Sequence, residues 1–362
     1  MCKTKEVIDK RNISATIQVN VYLRVRLMIQ KNQHRVTIKD VARQADVSIA
    51  TVSKIINGKD EHISETTRQK VFEVIEHLGY VQNSMAKGLK ESNTKTLGLV
   101  IPDIGNAFPE MAKGAQDEAF SHGYTVLFGS TDNNYIQEEK FLDALKSKMV
   151  EGIIYVSSDP VTSKKLLSDI SVPVVFIDRK IEKNQNMGSV LIDNYAAMKD
   201  VAKYVTGKGC KKIAYITADI SMSPSRERYD GFVDGLKEAG IDFDKKLHYP
   251  GTFSVETGQI GAMTLLQRNP GIDCIVCGND LMAIGAVSIC QKLGKKIPED
   301  IKIMGFDDIY ISKYLNPEIT TVRQDAYEMG KQAALMLIRH IEQKEPLTDI
   351  VLPYEIMERS TV

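Results

Sequence analysis

The sequence predicts an all-α helix-turn-helix head joined to an α/β body of two lobes with parallel sheets. Three observations carry that expectation. Three short amphipathic helices are packed into about 45 residues after Val36, the first two joined by a minimal turn. From Thr96 onward, continuous apolar β-rich runs alternate with longer helical stretches. The chain has 362 residues, enough for two or three domains, and the alternating series is too long for one small sheet.

The expected divisions are an N-terminal extension over 1–35, a helix-turn-helix domain over 36–81, a hinge over 82–95, a two-lobed body over 96–353, and a C-terminal tail over 354–362. Residues 1–35 are basic, show no clean period, and read as a flexible arm with an internal Met28. In the head, Thr37 caps the first helix and pairs with Asp40 in a box-like arrangement. Ile38, Val41, Ala42 and Ala45 recur at helical spacing, and Asp46-Val47 makes the turn. Ser48 caps the second helix, whose inner face is Val52, Ile55 and Ile56, and Asn57-Gly58 stops it. Ser64 caps the third, with Glu65 suited to the helix dipole; Val71, Val74, Ile75 and Leu78 form its buried stripe, and Gly79 ends it. Asn83 to Lys90 is short and weakly helical, so it needs a partner to become ordered.

In the body the strand-like runs are 97–101, 125–128, 152–156, 174–177, 212–217, 274–277 and 301–306. The helical stretches are 109–122, 136–148, 196–207, 228–239, 255–268, 280–293 and 326–342. Strands apolar on both faces and alternating with helices imply parallel βαβ units. Ligands of such sheets sit beyond the carboxyl ends of the strands, so the residues after each strand are the ones to watch.

Charge at first argues against a polyanion partner, because 47 Lys+Arg balance 47 Asp+Glu. The distribution says otherwise. Residues 1–95 carry 17 basic and 10 acidic side chains, and the remainder carries 30 and 37. Most of the basic excess is in the arm, however: residues 36–95 alone are only about +1, so helix register supports nucleic-acid binding more than charge does. No apolar run is long enough for a membrane span, and residues 1–35 do not read as a secretory leader. Five cysteines make no disulfide scaffold; Cys274-Ile-Val-Cys277 reads as two strand cysteines rather than a zinc or redox pair. A reducing cytoplasm is expected. No Walker loop, GxGxxG, GxSxG or HExxH occurs, and the six histidines show no metal or triad spacing. No enzyme activity, cofactor or metal is expected.

The segments Val36–Ala42, Val47–Gly58, Thr67-Arg68 and Gly79-Tyr80 resemble the DNA-binding head of LacI/GalR transcriptional regulators. The body continues the resemblance with Leu99-Val-Ile-Pro-Asp103, Glu151-Gly-Ile-Ile154, Phe176-Ile-Asp-Arg179, Arg228-Tyr-Asp-Gly-Phe232, Asn279-Asp280, Gly305-Phe-Asp307 and Thr320-Thr321-Val322. It runs from Val36 to near the C-terminus, with a flavour of the catabolite-control members. It implies a periplasmic-binding-protein-like body, a homodimer on a palindromic operator, repression, and a small carbohydrate-type effector in the cleft between the lobes. A protein corepressor is implied for the catabolite-control members. A solute-binding receptor without DNA function remains the alternative.

The resemblance places Ile49, Ala50 and Lys54 at base-facing positions of the second helix, in the major groove. Ile49 and Ala50 suit thymine methyls. Lys54 replaces the usual arginine and reaches guanine without a planar fork, or else contacts phosphate only. Thr37, Ser48, Thr51, Ser53 and Asn57 fall at phosphate-contacting positions. Asn83, Ala86, Lys87 and Leu89 match the hinge, with Leu89 as a minor-groove wedge. Two departures are Gln82 for proline and Lys87 for arginine. In the cleft the matched effector residues are Asn106, Phe108, Asp178, Arg228, Asn279 and Asp307; all but Arg228 follow strands, and Arg228 is read as opening a helix. Asp280 is read as the cap of the following helix, leaving Asn279 for the ligand, and Arg179 is read as a surface residue. Arg228 could instead pair with Asp178 or Asp307.

Overall fold

A computed structural model describes residues 36–81, 93–157, 160–179 and 186–362. The expected arm and the hinge residues Asn83, Ala86, Lys87 and Leu89 lie outside them. The chain divides into two compact units, Met1–Lys87 and Gly88–Val362.

The first unit holds α1 (Ile38–Ala45), α2 (Ile49–Ile56) and α3 (Glu65–Leu78) around Val41, Ala42, Ala45, Val52, Ile55 and Val71. Each end has the expected chemistry. The Thr37 backbone N–H and hydroxyl both donate to Asp40 Oδ2, at 3.0 and 2.7 Å. Asp46 leaves α1 in the left-handed region at φ 56°. Ser48 Oγ accepts from the Thr51 N–H at 3.0 Å, and Ser64 Oγ from the Thr67 N–H at 3.3 Å. Gly79, at φ 61°, closes α3.

The second unit is built on two parallel sheets. The first contains β1 (Thr96–Ile101), β2 (Thr125–Ser130), β3 (Gly152–Tyr155), β4 (Val174–Ile177), β5 (Met187–Ile192) and β11 (Asp349–Leu352), in the order β11-β5-β4-β3-β1-β2. Around it lie α4 (Phe108–Ser121), α5 (Tyr135–Ser147), α6 (Pro160–Leu167) and α11 (Ala326–Gln343). The second contains β6 (Ile213–Ala218), β7 (His248–Gly251), β8 (Cys274–Cys277) and β9 (Lys302–Met304), in the order β7-β6-β8-β9. Its helices are α7 (Asn194–Gly207), α8 (Ser223–Glu238), α9 (Val255–Arg268) and α10 (Asp280–Lys292). Pairing within both sheets is parallel throughout, as continuous apolar strands require. Where α4 meets α11, a β-carbon at Gly114 would overlap the Tyr327 carbonyl, and one at Gly330 would overlap that of Met111. Only glycine permits that approach.

The lobes are not consecutive in sequence. The chain crosses between them after β5, after β10 (Thr321–Gln324), and between β11 and β12 (Tyr354–Met357). The last nine residues, expected as a tail, are therefore structural. β12 pairs antiparallel with β10, and the wholly buried Thr361 accepts from Ile303 N at 2.8 Å and from Thr320 N at 2.8 Å. The expected hinge also ends early: Thr94 Oγ1 donates to Met149 O and Lys95 N to Glu151 Oε1, both at 2.8 Å, so these two residues belong to the first lobe. Cys274 and Cys277 are buried strand residues, as read. They point to opposite faces of β8, Cys274 toward Cys210 and Cys277 toward Cys290. Among the described residues, no helix is long and apolar enough to cross a membrane.

Candidate nucleic-acid interface and effector cleft

On α2, Val52 and Ile55 are buried against the other two helices, while Ile49, Ala50 and Lys54 are exposed. The residues expected to read bases therefore form one open face, and Ile49 keeps 45% of its surface accessible. Several phosphate candidates have structural partners as well. The Ser48 and Thr51 hydroxyls are 2.8 Å apart, and Asn57 Nδ2 donates to Ser53 O at 2.7 Å. Both interactions hold the helix ends, so these residues combine capping with exposure.

In the second unit, a narrow space lies between the lobes. Asn106, Phe108, Asp178, Arg228 and Asp307 all line it, five of the six expected effector residues. Arg228 is not at the start of its helix. Pro224 near the N-terminus starts α8 one turn earlier, which carries Arg228 inward. There Nε donates to Asn194 Oδ1 at 2.8 Å and an NH1 donor reaches Gly278 O at 2.7 Å. The same guanidinium lies 3.6 Å from the Phe306 ring centre and 3.4 Å from Asp307 Oδ1.

The sixth residue, Asn279, is the N-cap of α10: its Oδ1 accepts from Met282 N at 3.0 Å. The expected assignment of the cap to Asp280 is thus reversed. Asn279 is extended, at φ −156° and ψ 175°, and its side chain reaches the orphan N–H groups; Asp280 is already the first helical residue. Asp280 instead accepts from Ile309 N at 2.9 Å and from Ser312 Oγ and Thr321 Oγ1 at 2.6 Å each, tying α10 to β10. Burial raises its carboxyl to about 6, with those three hydrogen bonds opposing.

Two acids of the site hold strained backbones. Asp178 lies at φ 67° and Asp307 at φ 104°, each just past the end of a strand. Non-glycine residues in this region persist only where surroundings impose them, and they cluster at ligand sites. Several buried atoms there have no hydrogen-bond partner: Asn106 Oδ1, Asp178 Oδ1, Asp307 Oδ2 and Gln324 Oε1. Leaving a buried polar group unsatisfied costs about 1–3 kcal/mol. Their convergence on one space marks it as built for a polar guest. Burial pushes Asp307 up to about 7; Asp280 and Asp178 push the same way, against Arg228 and a hydrogen bond from Asn106.

The sequence missed three lining residues. Arg179, expected on the surface, is buried, donates to Ser157 O, and lies 3.8 Å from Asp178. Gln324 ends β10 and donates to Asp307 Oδ1 at 2.7 Å. Phe253 follows β7 and provides a second ring beside Phe108. The last two lie at the ends of strands that were not recognised in the sequence.

Comparison with known proteins accords with both halves. A model of "Bacterial regulatory proteins, lacI family" matches residues 37–83, and one of "Periplasmic binding proteins and sugar binding domain of LacI family" matches 94–357. The transcriptional regulator RegA of Clostridium saccharobutylicum is 36% identical, covering 90% of this chain and 98% of the relative. The ribose operon repressor of Halalkalibacterium halodurans is 35% identical over 85% of this chain and 91% of its own. Among solved structures, a complex of the transcriptional regulator CelR with cellobiose superposes with a TM-score of 0.69 at 27% identity, covering 91% of this chain and all of that one.

Proposed function

The chain belongs to the LacI family of bacterial regulatory proteins, and from that premise we propose a sugar-controlled transcriptional repressor that binds a palindromic operator as a homodimer. It is not an enzyme. Ile49 and Ala50 meet thymine methyls in the major groove, and Lys54 a guanine edge. Thr37, Ser48, Thr51, Ser53 and Asn57 hold the phosphates on either side. Asn83, Ala86, Lys87 and Leu89 form the hinge that opens the minor groove. One such head reads too few base pairs for specificity, so two act together. A suitable dimer surface is at hand: β2 is an edge strand with Phe128 exposed, and Phe120 of α4 is 80% exposed. The protein works on DNA in the cytoplasm.

The sugar hydrogen-bonds Asp178, Asp307, Asn106, Arg228 and Asn279 with Phe108 against its ring, and shifts the equilibrium between lobe arrangements. Operator and sugar affinities are then coupled reciprocally. The observation that carries this reading is the set of buried, unpartnered polar atoms converging on the space between the lobes. The test is selection of a binding site from random duplexes by the full chain, followed by titration with sugars. A palindromic site whose affinity changes with a sugar supports the reading. Sugar binding with no duplex selected would leave a solute receptor instead.

A further inference from the structure

The identity of the ligand can be narrowed by charge and hydrogen-bonding polarity, taking the cleft as the sugar site. We propose that the effector is an uncharged sugar or polyol, and not a phosphorylated sugar. The inner wall offers no spare positive charge among the described residues. Its two cations are Arg228 and Arg179, and each is matched to a carboxylate, Asp307 at 3.4 Å and Asp178 at 3.8 Å. Arg228 is further committed to Asn194, Gly278 and the face of Phe306. A phosphate dianion moved into this space would lose its hydration without gaining a counter-charge.

The approach to the cleft repeats the pattern. Its outer part is lined by Asp103, Asp132, Asp219 and Glu256, with Arg179 the single cation among the described lining residues. Such a rim lowers the local concentration of anions and leaves neutral solutes unaffected.

The unpartnered atoms have a polarity of their own. Asn106 Oδ1, Asp178 Oδ1, Asp307 Oδ2 and Gln324 Oε1, all from residues lining the space, are acceptors. A wall of acceptors needs donors. Sugar hydroxyls donate as well as accept, whereas an ionised phosphate only accepts.

The experiment is thermal shift and calorimetry of the full chain with D-ribose, D-xylose, D-glucose, D-galactose and myo-inositol, with ribose 5-phosphate and glucose 6-phosphate, and with cellobiose. At least one neutral sugar or inositol is expected to bind, and the phosphate esters about tenfold or more weakly than their parents. Asp307→Ala should abolish that binding. A phosphate ester that binds as tightly as its parent overturns the inference and leaves the cleft as the sugar site. Binding that survives Asp307→Ala, or no binding by any compound, removes the cleft assignment itself.

Discussion

Arg228 and Asp307 face each other at 3.4 Å with side chains only 3% and 1% exposed, each holding the other's charge in the interior. Without Arg228 the buried Asp307, whose carboxyl already stands near 7, takes up a proton at neutral pH and stays uncharged. Arg228→Ala is expected to destabilise the body by about 1–3 kcal/mol at neutral pH through the buried polar groups it leaves unpaired, measured by denaturant unfolding. The ligand-induced thermal shift should vanish with it. A loss below about 1 kcal/mol would mean that water already solvates Asp307.

The carboxyl of Asp307 gives a pH signature. Its folded value, about 7, lies above the ordinary unfolded carboxylate, near 3.9. A raised acid favours folding while protonated, so its contribution is full below pH about 4 and is lost as pH rises to about 7. The stability of the parent relative to Asp307→Asn should therefore decline across that window. Sugar hydroxyls that donate to the carboxylate favour its ionised form, so binding should release protons near pH 7 and tighten as pH rises. Calorimetry in two buffers of different ionisation enthalpy reads the proton count directly; proton uptake would reverse the assigned role.

Lys54 separates base reading from phosphate contact. If it reads guanine, Lys54→Ala costs about 1–3 kcal/mol of operator affinity, confined to sites carrying that guanine. If it only meets phosphate, all duplexes weaken alike and the salt slope falls by about 1. The first outcome is expected, and gel shifts on an operator and a single-base variant decide it.

Leu89→Ala tests the hinge. Loss of the wedge should weaken operator binding, because an unstacked and kinked step is no longer supported. Sugar binding should be unchanged. Equal operator affinity for variant and parent would remove the wedge role.

The head was legible nearly to the residue because its signals are local: Ser48, Asn57 and Gly79 punctuate helices through their own chemistry. The cleft was legible where an apolar run announced the strand before it, as at Asp178 and Asp307. It was not legible at Gln324, which ends β10, or at Phe253, which follows β7, both short strands. β7 reads His-Tyr-Pro-Gly and β10 is Thr-Val-Arg-Gln, so neither has a continuous apolar run. β11 pairs with β5, more than a hundred residues earlier, and β12 with β10, so both become strands only through partners that the fold brings to them. Arg179 was misplaced because a charged residue is assigned to the surface unless a partner is known, and its partners come from the fold.

The cysteines give the molecule a built-in clock. Among the described residues, all four thiols are buried in the second lobe, two of them on opposite faces of β8. An alkylating reagent cannot reach them until that lobe opens. With Cys2 replaced, the rate of thiol capture thus times the breathing of one lobe while the other is silent. A sugar that clamps the cleft should slow that rate, so a simple mass measurement can follow effector binding without any label on the protein.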